Sequence, residues 1–190
     1  MIKKICIYAS SSTELAEHYY IQAKELAAEL AKKGYDLVYG GARIGIMGTV
    51  AEEFMKINRK VIGVIPRKLN LKGIVHEDIT ELIEVEDMRK RKELMENFSD
   101  AFIACPGGIG TFEELLEIYT LKQLGYHRKP IVIYNSDSFY SQLIEILYVL
   151  QRENFLKKEN LELVKELINP EEVLYYLENY HEPDDIKKWF

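Results

Sequence analysis

Short apolar runs alternate with longer segments of helical period along almost the whole chain, and no other feature restricts the fold as strongly. Residues 5–9, 35–39, 61–65, 82–85, 101–105 and 131–134 read as strands. The runs are nearly continuously apolar rather than alternating, the pattern of strands buried on both faces. Helical segments fill the intervals. The first is expected to start at the capping box Ser11-Ser12-Thr13-Glu14, run to Lys33 and stop at Gly34. Others are expected over about 47–58, from an Asp87 cap to about Phe98, over 111–124, over 139–153, and after the Asn169-Pro170 cap. Residues 67–80 have no period and read as a loop near the site. Strands alternating with helices predict an α/β fold: a Rossmann-like open parallel sheet with helices on both faces and right-handed crossovers. No repeat or linker divides the 190 residues, so one nucleotide-binding domain is expected, with a polar tail from about Tyr180.

Composition narrows the function classes. With 47% apolar and 29% charged residues, the chain has a globular make-up. Its net charge of −6 argues against a nucleic-acid partner, which calls for a basic surface. No apolar stretch approaches the roughly 20 residues of a membrane span. The N-terminus enters a strand too early for a signal peptide, so a cytoplasmic location is expected. Cys6 and Cys105 lie inside strand-like runs and read as buried hydrophobes rather than a disulfide or metal pair.

Two glycine-rich turns, residues 39–48 and 106–114, stand at strand-to-helix junctions, where open α/β sheets bind ligands. Glycines let the backbone approach an anion, and the free N–H groups of the following helix point at it. One such turn is as often a packing device as a site; two in one small domain shift the balance toward a small phosphate-bearing ligand. Neither matches G-x-G-x-x-G or the Walker pattern, which disfavours a dehydrogenase or ATPase. In the second turn, Thr111-Phe112-Glu113-Glu114 also fits a capping box. Glu114 therefore has two readings, a carboxylate satisfying a backbone N–H or one placed at the mouth of the turn.

The run Met88-Arg89-Lys90-Arg91-Lys92 is divided by helical spacing. Met88, Arg91, Lys92 and Met95 share one face, while Arg89 and Lys90 project elsewhere. The run is either a solvated charge cluster or a pocket wall with an Arg suited to phosphate. His18, His76, His127 and His181 are scattered, without metal or triad spacing, and read as surface or loop residues. The tyrosines are assigned no chemistry. Leu143, Ile146, Leu147 and Leu150 form a stripe suited to the core or to a subunit interface.

These motifs resemble a known family. Pro106-Gly107-Gly108-Ile109-Gly110-Thr111-Phe112-Glu113-Glu114 matches the P-G-G-x-G-T-x-x-E motif of the Lonely Guy family, the cytokinin riboside monophosphate phosphoribohydrolases long described as lysine decarboxylases. Met88 through Lys92 resembles that family's M-x-x-R-K motif, and Tyr39 through Gly48 its first glycine turn. Agreement continues at Gln123 to His127 and at Lys129-Pro130-Ile131. The resemblance spans about residues 5–150, in order and at compatible spacing.

The resemblance implies hydrolysis of the N-glycosidic bond of a nucleoside 5′-monophosphate, cytokinin riboside monophosphate or AMP, giving free base and ribose 5-phosphate. Arg91 and Glu114 would be the catalytic pair. Ser10, Gly40, Gly41, Gly45, Met88, Lys92, Gly107, Gly108, Ile109, Gly110, Thr111 and Thr120 would contact the substrate. Such a bond cleavage builds positive charge on the ribose. Glu114 could stabilise it or position water, kept ionised by a helix N-terminus and by Arg91; Arg91, always charged, would position and stabilise. Neither a metal nor another cofactor is required. A homodimer is implied, since shorter family members are commonly dimeric. Two departures stand out: Ala42 replaces a glycine of the first turn, and Gly73 aligns with a glutamate used in base recognition, with Glu77 nearby in another register. The alternative is a non-catalytic nucleotide or molybdenum-cofactor carrier of related fold.

Overall fold

The computed structural model describes residues 2–182. Seven parallel strands form one sheet: β1 (Lys4–Tyr8), β2 (Asp36–Tyr39), β3 (Val61–Pro66), β4 (Glu81–Val85), β5 (Ala101–Ala104), β6 (Ile131–Tyr134) and β7 (Lys165–Leu167). Their order is β4-β3-β2-β1-β5-β6-β7. The helices are α1 (Glu17–Lys32), α2 (Gly45–Lys56), α3 (Met88–Phe98), α4 (Ile109–Gln123), α5 (Ser141–Arg152), α6 (Lys158–Leu161) and α7 (Pro170–Glu178).

Continuously apolar strands bury both faces. Ile5 and Ile7 of β1 join a core with α1, α2 and α7, while Cys6 and Tyr8 join a second core with α3, α4 and α5. Cys6 and Cys105 are both buried and unpaired by any disulfide. From β1 the chain builds outward through β2, β3 and β4, then returns so that β5 pairs with the other edge of β1. Strand order reverses between β1 and β5. In such sheets a crevice opens beyond the carboxyl ends of the two central strands, and here Ser10 and the Pro106 turn leave from those ends.

Most helix signals act as the residues suggest. Gly34 adopts φ +93° one residue past the α1 C-cap, a backbone state that stops a helix. Asp87 caps α3 by accepting the Lys90 N–H at 2.9 Å, and Asn169 caps α7 by accepting the Glu172 N–H at 2.9 Å.

The expected first capping box is overturned. Helix α1 begins at Glu17, with Ala16 as an N-cap that makes no side-chain bond. Ser10 to Ser12 instead fold against both helices: the Ser10 carbonyl accepts the Met47 N–H of α2 at 3.1 Å, and the Ser12 carbonyl accepts the Tyr20 hydroxyl of α1 at 3.0 Å. The Ser10 and Ser12 hydroxyls accept the N–H groups of Ser12 and Glu14, two residues on, which makes turns of these residues rather than a helix cap. The short β7 and α6 lack any periodic signal and were not expected. Most of the polar tail lies outside the described residues.

Candidate active site

The basic helix resolves by side. Arg91 and Met95 of α3 are buried while Arg89 and Lys90 face solvent. Three elements hold the Arg91 guanidinium. Its Nε donates to the Val64 carbonyl of β3 at 3.2 Å, and its Nη1 lies 2.9 Å from Glu114 Oε1 of α4. Its Nη2 occupies the space over Gly40, where a Cβ would come within 2.2 Å. Met88, 41% exposed, brings its Sδ to 4.0 Å from Arg91 Nη1.

Glu114 does not cap its helix. Helix α4 starts at Ile109 with Gly108 as N-cap, so the capping reading of Thr111 and Glu114 fails by three residues. Thr111 instead lies over Gly107, where an added Cβ would meet its Oγ1 at 2.1 Å. That close approach draws the helix start toward the glycines. Glu114 falls in the second turn, 5% exposed, facing Arg91.

The contact with Arg91 is an ion pair by distance but is not aligned as a hydrogen bond, so Glu114 Oε1 has no hydrogen-bond donor. Burial pushes its carboxyl above the usual carboxylate range, and Arg91 only partly offsets this. The expectation that Arg91 and the helix terminus would dominate is thus reversed, because solvation lost on burial outweighs one counter-charge. A carboxylate that the fold disfavours in its charged form adds little to stability, and such groups concentrate at functional sites. With Tyr8, Lys92 and Glu117, Glu114 lines a cavity of about 310 Å³ between α3 and α4. A larger cavity, about 1090 Å³, lies between α5 and α7 and contains none of the expected site residues.

The two glycine turns have different surroundings. Gly108 and Gly110 are exposed, and nothing stands within 4 Å of where their Cβ atoms would be. The first N–H groups of α4 have no intrahelical partners and face this open ground. The first turn is covered instead. Gly41 and Gly45 hold positive φ of +80° and +65°. A Cβ at Gly45 would strike the Ser10 and Ser12 carbonyls at 2.7 Å. Residues 67–80 fold back on this turn: Ala42 bridges Val75, the His76 N–H donates to the Gly41 carbonyl at 2.9 Å, and the Arg43 N–H to the Ile74 carbonyl at 2.8 Å. The end of α2 is taken up by the chain itself, so an anion cradle there finds less support than at α4.

Lys92 reaches α4 rather than open solvent, pairing with Glu113 at 2.5 Å and Glu117 at 2.8 Å. These pairs fasten α3 to α4 and thereby hold Arg91 level with Glu114. Thr120 is exposed and donates to the Leu116 carbonyl at 2.7 Å, so this chain does not bring it to Glu114.

Other groups are more buried than their residue types suggest. His127 is a loop residue but 7% exposed, and His76 is 5% exposed. His127 Nε2 faces the Ile118 carbonyl at 2.9 Å, and burial lowers its pKa to about 4. Lys122 is 1% exposed, donates to the Leu163 carbonyl at 2.8 Å, and has a pKa lowered to about 8 by burial. It lies two turns past Glu114 on α4. No residue pattern could have marked it, because its partners, the Leu163 carbonyl and the Tyr180 ring 5.2 Å away, lie some forty to sixty positions along the chain. Among the described residues no group of three or more His, Cys, Asp or Glu side chains could hold a metal ion. Among the described residues no helix is long and apolar enough to cross a membrane.

The family model described as possible lysine decarboxylase matches residues 47–177. The cytokinin riboside 5′-monophosphate phosphoribohydrolase LOG of Oryza sativa subsp. japonica is 39% identical over 178 residues, covering 94% of this chain and 74% of that protein. LOG7 of Arabidopsis thaliana, of the same name, is 40% identical over 182 residues, covering 96% and 83%.

The chain belongs to the Lonely Guy family.

Solved structures extend the likeness of this Lonely Guy chain at the level of fold alone. The molybdenum cofactor carrier protein of Chlamydomonas reinhardtii superposes with a TM-score of 0.70 at 18% identity, covering 94% of this chain and 97% of that one. The molybdenum cofactor binding protein of Rippkaea orientalis gives 0.68 at 21%, covering 94% and 96%.

Proposed function

We propose that this chain hydrolyses the N-glycosidic bond of nucleoside 5′-monophosphates, cytokinin riboside monophosphate or AMP, to free base and ribose 5-phosphate. The observation that carries the reading is the buried Arg91–Glu114 pair beside the open N-terminus of α4. The substrate phosphate sits at Gly107 to Thr111, where unpaired N–H groups and the helix dipole favour an anion. As the bond from ribose to base breaks, its electron pair leaves with the base and positive charge develops at the sugar carbon. The Glu114 carboxylate, its Oε1 held 2.9 Å from Arg91 Nη1 at the edge of the cavity between α3 and α4, stabilises that charge and orients the attacking water. Arg91 fixes the carboxylate's orientation. Purified protein incubated with AMP and isopentenyladenosine monophosphate is expected to release free base; release from no 5′-monophosphate would reject the reading. A pure carrier would bind without turnover, and the functional names of the relatives favour the enzyme.

Gly110 offers a local check. Alanine there meets no atom within 4 Å, and it should stabilise helix α4 by up to about 1 kcal/mol. If phosphate occupies that ground, Gly110→Ala raises KM while the melting temperature holds or rises; an unchanged KM would move the phosphate elsewhere.

The protein acts as a homodimer through the outer face of α4. Ile109, Leu116 and Leu124 are 86%, 41% and 40% exposed, and with Thr120 they form one stripe at helical spacing. Light scattering is expected to give twice the chain mass at micromolar concentration, and a Leu116→Glu substitution to shift it toward the monomer.

A further inference from the structure

One tyrosine meets the phosphate-accepting turn at both of its ends. Tyr140 lies between β6 and α5 and is 0% exposed. Its hydroxyl donates to the Cys105 carbonyl at 2.7 Å, at the last residue before Pro106. Its ring lies 5.3 Å from that of Phe112, the first residue after Thr111, and 4.9 Å edge-on from Phe139. Phe139 in turn lies 6.3 Å from Phe112. Tyr140 is itself held from behind, its N–H donating to Asn135 Oδ1 at 2.6 Å. The Asn135 N–H donates to the Leu167 carbonyl at 2.9 Å, and its side-chain amide reaches Glu166. The clamp is therefore anchored in edge strand β7.

Pro106 has no N–H with which to fasten the start of the turn. That task falls to the two hydrogen bonds of Cys105: its N–H donates to the Tyr8 carbonyl at 2.9 Å, and its carbonyl accepts from Tyr140. The first tie fixes the turn to β1. The second fixes it to α5 and β7.

We infer that Tyr140 is a positioning residue that holds the Pro106–Thr111 turn in its phosphate-accepting shape, tying the residue before the turn by a hydrogen bond and the helix after it by ring packing. The inference rests on the proposed reading of that turn as the phosphate site. Phosphate held there binds alike in ground and transition states, so loosening the turn raises KM and leaves kcat nearly unchanged.

Tyr140→Phe keeps the ring and removes only the hydroxyl. Tyr119→Phe is the matched control: the Tyr119 hydroxyl, also buried, donates to the Asn160 carbonyl at 2.7 Å, away from the turn. Each variant loses one buried hydroxyl-to-carbonyl bond, so a general loss of stability is common to both. Ribose 5-phosphate binding is measured by calorimetry beside KM and kcat. Tyr140→Phe is expected to weaken ribose 5-phosphate and raise KM by about tenfold, the worth of one hydrogen bond, with kcat within about twofold; Tyr119→Phe leaves both near wild type. Equal binding by Tyr140→Phe and wild type overturns the inference, as does equal weakening in both variants. Wild type that binds ribose 5-phosphate without hydrolysing any 5′-monophosphate rejects the proposed reaction alone, and the ratio of affinities still decides the role of Tyr140. Wild type that binds no ribose 5-phosphate takes the phosphate away from the turn and overturns the inference, while free-base release still decides the reaction.

Discussion

Glu114→Gln is expected to lower kcat/KM by about 10²- to 10⁴-fold, the range for removing a positioned acid–base or charge-stabilising group. The amide keeps the size of the side chain and the packing of α4 but cannot stabilise developing positive charge. It also leaves Arg91, 7% exposed, without its counter-charge, but it removes a carboxylate that burial disfavours, so the melting temperature should change little. A variant that keeps wild-type kcat/KM would remove Glu114 from the mechanism.

The wild-type pH profile carries the same assignment. Burial raises the Glu114 pKa and Arg91 lowers it. If the ionised carboxylate is the active form, kcat/KM falls as pH drops through this raised value. The acid limb then lies above the roughly 4.3 of a free glutamate. Removing Arg91 takes away the principal lowering influence, so in Arg91→Met the residual activity should show its limb at higher pH. A limb that moves down, or not at all, would detach the profile from this pair.

Gly40→Ala is the second large expected effect, and it acts without touching Glu114. The new methyl would stand 2.2 Å from Arg91 Nη2 and 3.1 Å from Met47 Sδ. A flexible surface arginine would swing aside at little cost, but this one is tied to the Val64 carbonyl and to Glu114. Misplacing it by about 1 Å should lower kcat/KM by about 10²-fold. Overpacking should cost about 1–3 kcal/mol of stability. Kinetics and thermal melting of the variant check both figures. Full activity with a normal melting temperature would mean that Arg91 has room to move and that its exact placement does not matter.

Gly40 is also a place where the residues gave a partial account. Its turn was legible as glycine-rich, and an anion was the natural occupant. The structure puts an arginine side chain of its own there, and covers the next glycines with residues 74–76 and the Ser10–Ser12 backbone. The basic helix was legible by face, since Arg91 and Met95 at i and i+4 turn inward as their spacing requires. What Lys92 meets was not legible, because Glu113 and Glu117 come from a helix about 20 positions away in the chain. The capping boxes at Ser11 and Thr111 failed for different reasons. The Ser10 and Ser12 hydroxyls close turns of their own, whereas the contact of Thr111 with Gly107 draws the helix start back toward the glycines.

The sequence by itself determined the parallel sheet, because continuous apolar runs can be stable only between two covering layers. It also determined that a glycine turn would open a helix beyond β5, and the order of its motifs carried the family. Tertiary structure alone decided that Glu114 does not cap its own helix, that its charge is disfavoured by burial, and that Tyr140 grips the turn it follows by some thirty residues. Each of these depends on desolvation or on contact between distant segments, quantities that exist only once the chain has closed on itself.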